Sequence, residues 1–393
     1  MITVHKVLLW AAVAACNLLP LELRRAQAAT ASNFVTINYK QSLPPLSVES
    51  LTNGVRLRFG GNPAQRFTIE RAPALSGPWT SITTRTAPSS TLLQYDDTNQ
   101  PPAQAFYRTV HTNSGRLMSP GEFQALPSKP ADYQIAYGED PNQFGELRVP
   151  PSDGPHPLVI LIHGGCWTAS YATLRDLGPM GDALKAAGIA TWNIEYRRLG
   201  QPGAGWPGTY LDIGTAVDQL RTLAPEHRLD LSRVIVMGHS AGGHLAMWVA
   251  ARSRLPAGTP LYVEDPLRVS GVINLAGTGD MEAVIPFEAQ SCQGSVVEAM
   301  LGGTPAKFPE RYAQASAIKM LPIGTPQVLI WADRDDNVPL SIGEAYAEAA
   351  RAAGDPVLLV VFPGLGHFEI GSPLSPCWPV VRSAIESLLE NKP

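Results

Sequence analysis

The sequence predicts a chain in two parts: a small all-β sandwich, then an α/β domain whose mostly parallel sheet carries helices on both faces. Three observations predict it. Residues 33–126 alternate polar and apolar side chains in short bursts parted by turn residues. From residue 132 to residue 393, apolar runs of strand length alternate with stretches of helical periodicity. The chain has 393 residues, 45% of them apolar, which is enough to fill two cores.

The first element is a processing segment. Lys6 precedes a mostly apolar run from Val7 to Leu19, and Ala26-Gln27-Ala28 offers small residues for cleavage. Residues 1–28 therefore read as a secretory signal. The run is shorter than the roughly 20 residues of a spanning helix. No stable membrane insertion is expected after its removal, and the remaining chain is expected to be secreted or periplasmic.

In the sandwich, bursts at residues 55–59, 67–70, 79–82, 92–95 and 105–108 are separated by Asn53-Gly54, Gly60-Gly61-Asn62-Pro63, Ser76-Gly77-Pro78 and Pro101-Pro102. Period two with regular turn signals is the signature of antiparallel strands. With Ile69-Glu70-Arg71, Trp79 and Phe106-Tyr107-Arg108 as fixed points, this portion resembles fibronectin-type-III-like modules of secreted bacterial enzymes.

In the α/β part, strands are expected at residues 158–162, 189–194, 234–237, 269–275, 327–331 and 357–362. Helices are expected at residues 174–187, 210–223, 242–252, 342–353 and 380–389, the second ending before Pro225. Lys and Arg total 30 against 34 Asp and Glu, a net charge of −4, with no long basic run. That excludes the electrostatic footprint of a nucleic-acid binder. No His/Cys/Asp cluster has metal spacing, and neither a metal nor an organic cofactor is expected. Removing the signal takes Cys16 and leaves Cys166, Cys292 and Cys377. Cys166 follows a glycine pair assigned below to the reactive centre, whereas Cys292 and Cys377 lie in loop-like sequence. The expected disulfide is therefore Cys292–Cys377.

Gly238-His239-Ser240-Ala241-Gly242 matches G-x-S-x-G between a strand and a helix. Such a turn holds a serine hydroxyl clear of the sheet at the positive end of the following helix, provided its neighbours are small. A free hydroxyl is a poor nucleophile and needs a base. His163-Gly164-Gly165 follows the strand at residues 158–162. Glycines let backbone amides approach a substrate oxygen unobstructed, so Gly164, Gly165 and Ala241 are the candidate oxyanion donors. Among the histidines, His367 sits in Gly364-Leu365-Gly366-His367-Phe368 beyond the last strand. That position, on a loop at the carboxyl edge, is the one a base requires. His239 and His244 flank the serine, one fixed in the turn and the other inside the helix. The order serine, acid, histidine leaves Asp333, Asp335 and Asp280 as candidate acids.

Together, His163-Gly164-Gly165-x-Trp167, Glu195-Tyr196-Arg197, Gly238-His239-Ser240-Ala241-Gly242-Gly243-His244 and Asp335-x-x-Val338-Pro339 resemble the α/β-hydrolase esterases. The nearest branch holds bacterial acetylxylan and feruloyl esterases and kynurenine-formamidase-like enzymes. The resemblance implies the α/β-hydrolase fold and a triad of Ser240, Asp335 and His367 acting through an acyl-enzyme. Here Ala332 replaces a strand-end glycine and Trp331 the histidine before it, and Glu195-Tyr196-Arg197 is expected to be structural. The implied activity is hydrolysis of a small-molecule or polysaccharide-linked ester, acetyl or feruloyl. The same triad would serve an arylformamidase, and a non-catalytic binding protein on this scaffold is the reading of another class. Trp167, Phe287, Phe368 and Trp378 are candidate pocket aromatics.

Overall fold

The computed structural model describes residues 37–38, 47–51, 54–60, 66–72, 79–86, 92–98, 106–112, 117–362 and 364–390. The expected signal at residues 1–28 lies outside the described residues. The chain divides into two compact units, one built on Tyr39–Leu117 and the other on Met118–Pro373. The second unit thus begins ahead of residue 132, where the α/β part was expected to start. The cause is helix α1 (Pro120–Gln124), whose capping box of Ser119 and Glu122 starts it and whose Phe123 ring packs on His239 and Phe368 of the second unit.

The short strand β1 (Ile37–Asn38) belongs to the second unit. The first unit holds β2 (Ser47–Leu51), β3 (Gly54–Gly60), β4 (Arg66–Ala72), β5 (Thr80–Thr86), β6 (Leu92–Asp97) and β7 (Phe106–Thr112). They form two three-stranded antiparallel sheets, ordered β2-β3-β6 and β5-β4-β7. Alternation places Val55, Leu57 and Ile69 in the core. Across β3 and β6, Arg56 and Asp96 meet in register as a two-pronged ion pair at 2.8 Å. Arg71 and the buried Asp97, 2.8 Å apart, join one sheet to the other.

The second unit adds β8 (Tyr133–Ala136), β9 (Phe144–Arg148), β10 (His156–Ile162), β11 (Ala190–Ile194), β12 (Leu229–His239), β13 (Gly271–Leu275), β14 (Gln327–Ala332) and β15 (Val357–Phe362). Their sheet runs β1-β15-β14-β13-β12-β10-β11-β9-β8, with β10 to β15 parallel and β8 and β9 antiparallel. Every residue of β11, β13 and β14 is buried, so both faces of the sheet are covered.

The remaining helices are α2 (Gly178–Ala186), α3 (Gly208–Asp218), α4 (Leu220–His227), α5 (Ala241–Ala251), α6 (Met281–Ser291), α7 (Val296–Leu301), α8 (Pro309–Ala315), α9 (Leu340–Ala352) and α10 (Trp378–Glu390). Helix α5, apolar almost all round, is buried along its whole length and packs on β12 and β13. Where one helix was expected at residues 210–223, the chain forms α3 and α4, which meet at Gln219. Pro225 lies inside α4, which stops soon after it at the left-handed Arg228 (φ 52°). Helices α6 to α8 form an insert between β13 and β14.

Candidate active site

Strand β10 pairs with β11 on one side and β12 on the other, so the chain reverses its lateral direction at β10. Ligands of open α/β sheets sit beyond the carboxyl ends of strands at such a point. The Gly164 turn leaves β10 there, and Ser240 leaves β12. Asp335 follows β14 and His367 follows β15, on the same parallel edge.

Ser240 adopts φ 55°, ψ −122°, a strained conformation for a residue with a side chain. Its amide donates to the Leu275 carbonyl (2.9 Å) and its carbonyl accepts from His244 (3.1 Å), which fix the corner. The corner is tight enough to exclude side chains on either side. A Cβ on Gly238 would lie 2.0 Å from the Gly242 carbonyl oxygen, and one on Gly242 would lie 1.9 Å from that of Ile162. The sequence supplies glycine where backbone meets backbone.

Gly164 presses on this corner. A Cβ there would come within 2.8 Å of the His239 carbonyl oxygen and 3.0 Å of the Ser240 Cβ. Gly165 follows at φ 94°, then Cys166 and Trp167 at φ 50° and 53°. Ala241 opens α5, where the first N–H groups of a helix have no intrahelical acceptor. Among the described residues, no backbone carbonyl holds the amides of Gly164 and Gly165.

His367 Nδ1 donates to Asp335 Oδ2 at 2.7 Å, and both side chains are almost fully buried. The other carboxylate oxygen of Asp335 accepts from the amides of Asn337 (2.9 Å) and Val338 (2.8 Å). The competing acids are occupied elsewhere. Asp333 is exposed and accepts from the Gly364 amide (2.6 Å), and Asp280 caps α6 through the Glu282 amide (3.0 Å). The His239 ring lies 4.6 Å from that of His367 and donates from Nε2 to its carbonyl (2.8 Å). The His367 loop is therefore tied to the residue next to Ser240. Glu369 secures it further, accepting from the amides of Gly366 (3.2 Å) and Met118 (2.6 Å).

A cleft opens at Ser240 and Ala241, bounded by Cys166, Trp167, Val284, Phe287, Cys292 and Val338. Its free volume is about 30 Å³, room for roughly two waters. Of the candidate aromatics, Trp167 and Phe287 line it, Phe368 packs among Phe123, His239 and His367, and Trp378 begins α10.

The family named BD-FAE matches residues 147–349, just over half of the 393-residue chain. The chain belongs to the BD-FAE family. Esterase LipC of Mycobacterium tuberculosis is 27% identical over 243 residues, which are 60% of this chain and 59% of that relative. The chain thus spans about three fifths of that relative's length. A truncated carbohydrate esterase from gut microbiota superposes with a TM-score of 0.56 at 20% identity, covering 67% of this chain and 99% of the other. An acetyl ester-xyloside bifunctional hydrolase from Caldicellulosiruptor lactoaceticus gives 0.52 at 22% identity, covering 65% and 95%. The second unit has the α/β-hydrolase fold.

In this BD-FAE chain the expected Cys292–Cys377 disulfide is corrected: Cys292 bonds Cys166, 126 residues away, at a Cα separation of 5.8 Å. The insert places the end of α6, where Cys292 is the cap residue, directly over the loop after Gly165. Cys377 lies outside the bridge. In the sequence Cys166 belongs to the glycine turn, and what the insert brings to it is set only by the fold. Val284, Glu288 and Asn337, which line the cleft from α6 and from the Asp335 loop, were also not among the expected site residues. For Val284 and Glu288 the i, i+4 spacing along α6 was the available signal.

Glu195-Tyr196-Arg197 has the structural part expected for it in this BD-FAE chain. Glu195 meets His163 Nε2 (3.0 Å) and Arg198 (3.0 Å), and Tyr196 donates to the His163 carbonyl (2.9 Å). Arg197 grips Asp212 with two nitrogens, at 2.8 and 2.6 Å. Burial raises the Glu195 carboxyl, but His163 and Arg198 outweigh it and hold the group below its ordinary value. The whole brace stands under the turn that presents Gly164.

Burial, and then the neighbouring His367, hold the His239 imidazole down at about 3, and burial holds His244 at about 4. Both are neutral donors in the fold: His244 Nε2 donates to the Ala315 carbonyl (2.9 Å) while its Nδ1 accepts from Trp167 (3.1 Å). Unfolded, each takes up a proton near 6.5. Their stabilising effect is thus complete above pH 6.5 and is lost as pH falls toward the folded values. Each is expected to raise the unfolding constant about tenfold per pH unit in that window. Urea unfolding from pH 7.5 to pH 4 measures this; an unchanged midpoint across the range would contradict it.

Proposed function

We propose that this chain is a secreted serine hydrolase of carboxylic esters, with Ser240 as nucleophile, His367 as base and Asp335 as the group that orients the base. The observation that carries the reading is the 2.7 Å His367–Asp335 contact, held by two loop amides on the same sheet edge as a serine at φ 55°. In this reading His367 takes the Ser240 proton as the hydroxyl attacks the acyl carbon. The amides of Gly164, Gly165 and Ala241 receive the oxyanion. His367 returns the proton to the departing alcohol, and water then releases the acid by the same route.

The narrow cleft favours a small acyl group, acetyl before feruloyl. A signal at residues 1–28 and a fibronectin-III-like module ahead of the catalytic unit suit a polysaccharide-linked acetyl ester met outside the cytoplasm. The fold neighbours named for carbohydrate and acetyl ester hydrolysis guide the choice of alcohols to try first. Two measurements test the reading. An alkyl fluorophosphonate is expected to label the protein once, on the peptide carrying Ser240. Acetylated xylan is then expected to be turned over faster than a feruloyl ester or N-formylkynurenine. Labelling elsewhere removes the nucleophile, and preference for N-formylkynurenine moves the chain to the amide hydrolases.

A further inference from the structure

The Cys166–Cys292 bridge spans 126 residues, and its two residues line the cleft at Ser240. Along α6, Val284, Phe287, Glu288 and Ser291 face the same cleft, at the i, i+3, i+4 and i+7 positions of one helical face. That face is one wall of the cleft, and Cys292 ends it. The opposite wall is the Gly164–Trp167 loop, which carries positive φ at Gly165, Cys166 and Trp167. Gln293, just past the bridge on the other side, also has φ 58°. The bridge therefore joins the two walls at a point where both backbones run through or next to positive φ. Besides the bridge, the Tyr171 hydroxyl, donating to the Cys292 carbonyl (3.0 Å), ties the end of α6 to the segment after the Gly164 turn.

We infer that the Cys166–Cys292 bridge sets the acyl-chain limit of the site by holding α6 against the Gly164 loop and closing the far end of the cleft. Cutting it leaves the end of α6 on hydrogen bonds such as that from Tyr171, which give where a covalent link does not, so the end of α6 moves outward and the pocket lengthens, while the Ser240 corner, braced from β12, β13 and α5, stays in place. The inference deepens the proposed ester hydrolysis and rests on it.

The experiment compares kcat/KM for p-nitrophenyl acetate, butyrate and octanoate in the intact oxidised protein, in the Cys166→Ser/Cys292→Ser double variant, and in the wild type treated with a phosphine reductant. Both cysteines are half-exposed, so the reductant reaches them, and a thiol count verifies cleavage. The octanoate-to-acetate ratio is expected to rise about tenfold or more in both altered forms, the scale on which pockets discriminate methylenes. An unchanged ratio in a folded form with the bridge cut overturns the inference. Loss of fold in both forms overturns it too, by making the bridge a staple and not a wall. If the oxidised protein itself hydrolyses no ester, the functional reading has failed and not this one.

Discussion

Ser240→Ala is expected to lower kcat on p-nitrophenyl acetate by about 10⁶-fold, the scale on which serine hydrolases respond to loss of the nucleophile. The covalent route disappears, while the amides of Gly164, Gly165 and Ala241 can still polarise a bound carbonyl. A residue of activity above the uncatalysed rate is thus expected to survive. The change is clean because Ala keeps the Cβ. It meets the same φ 55°, ψ −122° strain and the same contact with Gly164, so the thermal midpoint is expected to stay within about 2 °C. Turnover at more than a tenth of the wild-type rate in a folded Ser240→Ala protein would remove Ser240 from the mechanism.

Asp335→Asn is expected to follow at about 10⁴-fold, and its hydrogen bonds say why. One oxygen of Asp335 accepts from the amides of Asn337 and Val338. An asparagine there keeps its carbonyl oxygen on those two donors and must turn its NH₂ toward His367 Nδ1. That nitrogen now has to accept, so the imidazole carries its proton on Nε2 and has no lone pair left for the serine. Asp333→Asn leaves the acceptor for Gly364 in place, and Asp280→Asn leaves a good helix cap. Each is expected to change kcat less than about threefold. Steady-state kinetics on the three variants give the ranking directly, and a larger loss at Asp333 than at Asp335 would reassign the acid.

Much of this architecture was legible because its signals are local. Strands covered on both faces read as near-continuous apolar runs, and those at residues 158–162 and 357–362 have no polar residue. The G-x-S-x-G corner was readable because backbone collisions at Gly238 and Gly242 leave no other residue type for those positions. The acid was only partly legible, since spacing alone kept Asp333, Asp335 and Asp280 in play. Two loop amides and one imidazole make the distinction, and they come together only once β14 and β15 pair. The insert was the least legible part. Helix α6 is only weakly amphipathic and contains Pro286, which argues against a helix in isolation, yet the fold uses it to wall the cleft. The disulfide followed from that oversight, because which cysteines meet depends on where the insert lies.

The three side chains of the proposed triad follow three different parallel strands, and the imidazole comes last in the chain. A nascent chain that has reached Asp335 already owns the hydroxyl and the carboxylate, but it has nothing to move a proton between them and the substrate. Under the proposed mechanism, turnover is expected to begin only after β15 docks against β14 and carries His367 to the edge. Activity would thereby report the completed sheet of the second unit: a preparation assayed during refolding is expected to regain activity with the docking of β15, never ahead of it.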